Sequence, residues 1–177
     1  RGAALSALGR FDEAKLAYAR ALALDPNHPD ALLGAAHLYA VTLPSSREND
    51  ELASTYAEHG LERARFLGDD TLISQFALVS AMAFNDLGQS EQAIERANLV
   101  LARSPKDPDA LYERAVALFE LCRFDQAYAA FSQLLDDPER GAHAHHHLGL
   151  LLERKGDFEA AARHFEIARR RSPEDFP

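Results

Sequence analysis

The chain has 177 residues and a formal net charge of −9. Its 47% hydrophobic content can supply a core, yet no apolar run approaches the ~18 residues of a membrane span, so membrane insertion is not expected. The acidic balance repels phosphate backbones and argues against a nucleic-acid partner, and the single cysteine, Cys122, rules out an internal disulfide.

Apolar periodicity with start and stop residues predicts helices near 2–8, 11–24, 30–43, 48–66, 71–87, 90–103, 109–121, 124–136, 140–154 and 158–171. The first two meet at Gly9. The linker Asp25-Pro-Asn-His-Pro-Asp-Ala-Leu32 ends the second helix with one proline and opens the third with Pro29, where no N–H is needed. A polar stretch from Leu43 follows, where Ser45 and Glu48 have capping-box spacing and a mobile loop is expected. Asp70 is the expected cap of the next helix. Gly88 marks the following tight turn, and Ser104-Pro-Lys-Asp-Pro-Asp-Ala-Leu111 repeats the earlier linker. At the next tight turn Cys122 stands where Gly9, Gly88 and Gly156 stand elsewhere, which costs about 1 kcal/mol if φ is positive. It is expected to be a partly buried turn residue without catalytic surroundings. The last helix ends on Arg169-Arg170-Arg171, which complements the helix dipole.

The elements repeat. Ala93, Ala127 and Ala161 are each 34 residues apart, inside the blocks Gly88-Gln-Ser-Glu-Gln-Ala93, Cys122-Arg-Phe-Asp-Gln-Ala127 and Gly156-Asp-Phe-Glu-Ala-Ala161. A fourth block, Gly9-Arg-Phe-Asp-Glu-Ala14, precedes Ala93 by two periods plus 11 residues. A fixed period of 34 is that of stacked helix pairs. With Leu148-Gly149, Ala161, Phe165, Ala168 and Pro173 in the last unit, and Ala14, Tyr18, Ala21 and Pro26 in the first, the chain resembles the tetratricopeptide repeat family. The resemblance implies an all-α, right-handed α-solenoid of antiparallel helix pairs. It comprises about ten helices in five repeats: 1–28 (incomplete), 29–73 with an insertion at 43–52, 74–107, 108–141 and 142–175. Small residues belong where helices cross, and Tyr18, Phe84, Phe131 and Phe165 fill the space between pairs. Beginning inside a repeat and ending where another would start, the sequence reads as one superhelical domain of a longer chain. The cytoplasm is the favoured compartment for a soluble chain of this kind.

In this family the first helix of each pair lines a concave groove. That places Asp30, Leu33, His37, Ala40 and Val41 in the groove, then Gln75, Leu78, Met82, Asn85 and Asp86. The fourth repeat contributes Asp109, Tyr112, Val116, Phe119 and Glu120, and the last His143, His146, Leu150, Glu153 and Arg154. Independently, Tyr112, Val116 and Phe119 share one helix face, while Leu111, Ala115 and Leu118 already serve packing on another. Function is therefore expected in protein binding. The ligand would be a peptide or helix, amphipathic, with Lys or Arg beside its apolar side chains to meet Asp30, Asp86, Asp109 and Glu120. Some of these groove side chains are equally suited to covering neighbouring helices. Relatives that grip a C-terminal carboxylate do so with Lys and Asn. Leu33, His37, Leu78 and Met82 occupy the comparable positions, which argues against such a clamp.

Three other readings have their own residues. Solenoid ends without caps would support scaffolding or homodimer formation. His143, His146 and His147 have a spacing that two or three imidazoles need for a metal, but His145 falls in a packing position and no His-Glu-x-x-His is present, so no metal site is assigned. No phosphate loop or nucleophile motif appears, and neither an enzyme nor a cofactor is expected, leaving at most a role as the recognition arm of a multidomain enzyme.

Overall fold

A computed structural model describes residues 1–176. Its helices are α1 (Gly2–Ala7), α2 (Phe11–Leu24), α3 (Pro29–His37), α4 (Arg47–Leu67), α5 (Asp70–Asp86), α6 (Ser90–Leu101), α7 (Pro108–Glu120), α8 (Phe124–Phe131), α9 (Gly141–Arg154) and α10 (Phe158–Arg171). The right-handed α-solenoid expected from the repeat is the fold, shared with solved solenoids described below.

Within four helix pairs the turn is the same. Gly9, Gly88, Cys122 and Gly156 have φ between 58° and 82°, and the next residue's N–H reaches back to the first helix: Arg10 to Leu5, Gln89 to Phe84, Arg123 to Leu118, Asp157 to Leu152. Cys122 takes this left-handed conformation without glycine's freedom, and its side chain is exposed rather than partly buried.

Where helices cross, small residues let aromatic rings lie against backbone. Gly60 faces the fully buried Phe76, Gly149 faces Phe165, and both Gly2 and Gly34 face Tyr18. A Cβ at Gly60 would come within 2.1 Å of the Phe76 ring. Tyr18, Phe84 and Phe131 are buried as expected, whereas Phe165 is only half-buried at the end of the stack.

The second repeat departs most from the period. Two of its 11 additional residues precede α4, where α3 widens into a π-turn over Leu38–Thr42 closed by Leu43 N–H on Leu38 O. The other nine are helical: α4 has 21 residues against 12 in α6, and α5 starts four residues before Ser74. Of the expected insertion 43–52, only 43–46 lies outside a helix. The expected caps shift by one residue. Ser46, not Ser45, accepts the N–H of Asn49, while Ser45 Oγ donates to Asp50 instead of forming a box with Glu48. Asp69, not Asp70, accepts the N–H groups of Thr71 and Leu72, because Gly68 in the left-handed conformation ends α4 one residue earlier. Asp70 pairs with Arg103 on α6 instead. Near the far end, α8 is shorter than the predicted 124–136, tightening to a 3₁₀ turn over Ser132–Leu134.

Candidate functional site

The odd-numbered helices form one layer. α1 touches α3, α3 touches α5 and α5 touches α7. α7 meets α9 through Tyr112 and Phe119 against the rings of His143 and His147. The even-numbered helices show no comparable succession among the described residues, so the odd layer is the tighter, inner one.

Its two ends differ in how full they are. Between α1 and α3 lies a hollow of about 810 Å³, walled by Gly2, Ala3, Ser6 and Ala7 on one side and Leu33, Gly34 and His37 on the other. Small side chains leave this space, and Asp30 stands exposed at its edge. Desolvation lowers the pKa of His37. The sequence signal for the hollow was present in the run of Gly and Ala in α1, but a six-residue helix with few bulky residues did not mark itself as a site.

The opposite end is packed. His147 stacks on Phe131 at 4.6 Å, with Tyr112 and Phe119 edge-on to it and its Nδ1 at 2.9 Å from the His143 carbonyl. Burial lowers the pKa of His147. Tyr112 also meets Phe131, and the Arg140 guanidinium lies 5.0 Å from its ring centre. Its phenol is pushed up to about 12, first by burial and then by Glu113. Phe119 is held between Phe124 and His147. His146 stacks on Phe176 at 4.7 Å, and His143 meets the same ring edge-on. The three histidines with metal-like spacing thus turn to separate partners, and no group of three or more potential ligands converges among the described residues. Leu150 is half-buried, Glu153 is exposed, and Arg154 lies over Phe124 at 4.4 Å.

The middle is acidic. Leu78, Met82 and Val116 are half-buried there, and Gln75, Asp86 and Glu120 are exposed. Asn85 donates from Nδ2 to the Glu113 carbonyl at 2.9 Å and to its carboxylate at 2.8 Å. Glu113 is 7% exposed, and its carboxyl is raised to about 7 by burial, against the Asn85 hydrogen bond and Arg140 and with Asp86 and Asp109. Arg140 is itself bound to Asp109 at 2.6 Å. Glu113 was not singled out in the sequence, because it sits between the apolar face of Tyr112 and the packing face of Leu111 and offers no local pattern.

A stack of helix pairs whose inner layer alternates open, acidic and filled stretches is an interaction solenoid. Profiles of the tetratricopeptide repeat match residues 1–28, 85–151 and 144–175. The chain belongs to the tetratricopeptide repeat family, whose members serve as protein–protein interaction modules. No curated protein matches in sequence. Among solved structures, a MamA crystal structure is 22% identical with a TM-score of 0.73, covering 98% of this chain and 95% of that one. MamA 41-end from Desulfovibrio magneticus RS-1 is 20% identical with a TM-score of 0.77, covering 99% and 93%. YrrB, described as a TPR protein with an unusual peptide-binding site, is 20% identical with a TM-score of 0.71, covering 98% and 84%. At these identities the likeness concerns the fold. No helix is long and apolar enough to cross a membrane among the described residues.

Proposed function

We propose that the inner layer is a groove that binds a peptide or amphipathic helix of a partner protein. The open hollow between α1 and α3 carries this reading. Its walls suit a bulky apolar side chain, and Leu33 continues toward Leu78 and Met82 on α5. Asp30, Asp86, Asp109 and Glu120 supply the acidic neighbours that favour Lys or Arg beside that anchor. The peptide-binding site of YrrB supports the same use of the fold. Tyr112 and Phe119 contribute mainly through packing α7 on α9, so truncating them tests folding as much as binding.

Filling the hollow is the cleaner test. Ala7 is exposed and lines it, so Ala7→Trp adds volume without removing a packed side chain. Peptides selected from a random phage library against the native chain are expected to lose at least tenfold in affinity for Ala7→Trp and none for Ala19→Trp, a control on the exposed side of α2. Equal affinity for both variants would sink the reading.

Self-association is a second reading, favoured by Leu8, Leu16 and Leu24 on the first hairpin, exposed by 71, 57 and 89%. Sedimentation equilibrium is expected to show dimers that Leu16→Glu with Leu24→Glu dissociates. A monomer at about 0.1 mM would remove it.

A further inference from the structure

We propose that Asp50 at the start of α4, Asp86 at the end of α5 and Glu113 within α7 form a seat for one cationic side chain, guanidinium or ammonium, of the bound peptide. This rests on the groove reading and specifies its ligand.

Asp50 and Glu113 are the two buried carboxylates among the described residues, exposed by 3 and 7%. Neither has an ion-pair partner there, nor does Asp86 between them, whereas the partly buried Glu58 and Asp109 have Arg96 and Arg140. A buried carboxylate without a cation is expensive, and a fold that places two beside a third acid carries a cost that a ligand can relieve. The polar atoms are also incompletely used. Asp50 Oδ1 is buried without a hydrogen-bond partner, and Oδ2 only accepts from Ser45 Oγ at 3.3 Å. Asn85 spends its NH₂ group on Glu113 and leaves its own buried Oδ1 unpartnered, a further acceptor at the same joint. The seat therefore offers acceptors only.

The acids act on one another as neighbours. Burial and then Asp50 raise the Asp86 carboxyl, and Asp86 and Asp109 contribute to raising Glu113. Arg140 is close enough to oppose the rise of Glu113 but is bound to Asp109. A metal ion would need three converging ligands, and no such group exists among the described residues. A side-chain cation needs only one exposed approach, which Asp86 provides, and its several N–H donors match the free acceptors. Because Glu113 holds its proton up to about pH 7, a cation entering beside it displaces that proton. Binding should therefore weaken up to about tenfold between pH 8 and pH 6.

The probe is blocked arginine (N-acetyl-arginine methylamide), compared with its neutral counterpart, blocked citrulline, in ¹H–¹⁵N NMR titrations to about 50 mM. Arginine is expected to shift the Asn85 side-chain amide and the backbone around Asp50, Asp86 and Glu113, more strongly at pH 8 than at pH 6. Citrulline is expected to leave them in place, and Asp86→Asn with Glu113→Gln to reduce the arginine affinity at least fivefold. No movement of Asn85, an equal response to citrulline, or the same shifts with Ca²⁺ alone would each overturn the proposal. If selected peptides still bind and Ala7→Trp still blocks them, the groove reading survives that failure. If peptide binding is also indifferent to Ala7→Trp, both readings fall.

Discussion

Two glutamates, Glu58 and Glu113, each lie between helices and meet opposite treatment. Glu58 on α4 takes both Nε and Nη2 of Arg96 at 2.7 Å and the Ser80 hydroxyl at 2.5 Å. Burial would raise its carboxyl, but these hydrogen bonds outweigh it and hold the pKa below the ordinary value. Glu113 on α7 has one amide donor and more acids than cations around it, and its carboxyl rises to about 7. The joint between α4, α5 and α6 is finished by the chain's own residues. The joint between α4, α5 and α7 is left with acceptors to spare, which distinguishes a stabilising contact from a receptive one.

The largest effect should come from making the first joint resemble the second. Arg96→Met leaves Glu58 partly buried and unpaired, at a cost of about 3 kcal/mol after allowing for its partial exposure. Glu58 has a depressed pKa, so its contribution is present above the unfolded carboxylate range and lost as pH falls through the folded value. Urea denaturation should show the full loss near pH 8 and a shrinking one in acid. A pH-independent loss would mean that Arg96 stabilises through its packing near Phe84 instead.

The converse change is Glu113→Gln. Here the folded pKa lies above the unfolded one, so the stabilisation is complete below the unfolded value and disappears as pH rises through about 7. Glutamine keeps the acceptor for Asn85 and cannot ionise. A gain of about 2 kcal/mol near pH 8, vanishing near pH 4, is expected from the same denaturation series. A loss at pH 8 would show that the ionised carboxylate is paired in solution.

How much of this was legible follows from the range of each interaction. The fold was readable because period, glycine turns and proline linkers are local: Gly9, Gly88 and Gly156 marked their turns, and Pro29 and Pro108 their helix starts. Asp50 was read as loop because Pro44 and the serines resemble a linker, whereas the residues of that region from Arg47 onward are helical. Asn85 was placed on the groove side, but its bond to Glu113 spans 28 residues and Arg96 reaches Glu58 across 38, distances at which residue type alone names no partner. His147 was weighed as a metal ligand by its spacing, and only the packing of α7, α8 and α9 turns its ring onto Phe131.

Cys122→Gly supplies the reference against which both joints are read. Cys122 holds φ at 58° in a turn that uses glycine in three other pairs, and it is exposed. Relief of that conformation should add about 1 kcal/mol at every pH, since no ionisation is involved. A pH-dependent gain would mean that the denaturation series is reporting something other than the two glutamates.

The smallest effect tests whether a third joint hides behind Glu113. His145 Nδ1 and His164 Nδ1 are 2.9 Å apart between α9 and α10, so one must donate and the other accept. Both pKa values are lowered by burial first, then for His145 by His164 and Arg171 and for His164 by Arg163. A native state that resists protonation loses stability as pH falls below the unfolded histidine value of about 6.5. Glu113 moves stability the other way over the same interval, and the native chain should therefore show a shallow profile between pH 7 and pH 5. Glu113→Gln removes the compensation and should expose the acid loss, while adding His164→Gln keeps a side-chain donor for His145 and should flatten it again. If the double variant loses as much as the single one, the slope belongs to the histidines packed on Phe131 and Phe176 instead.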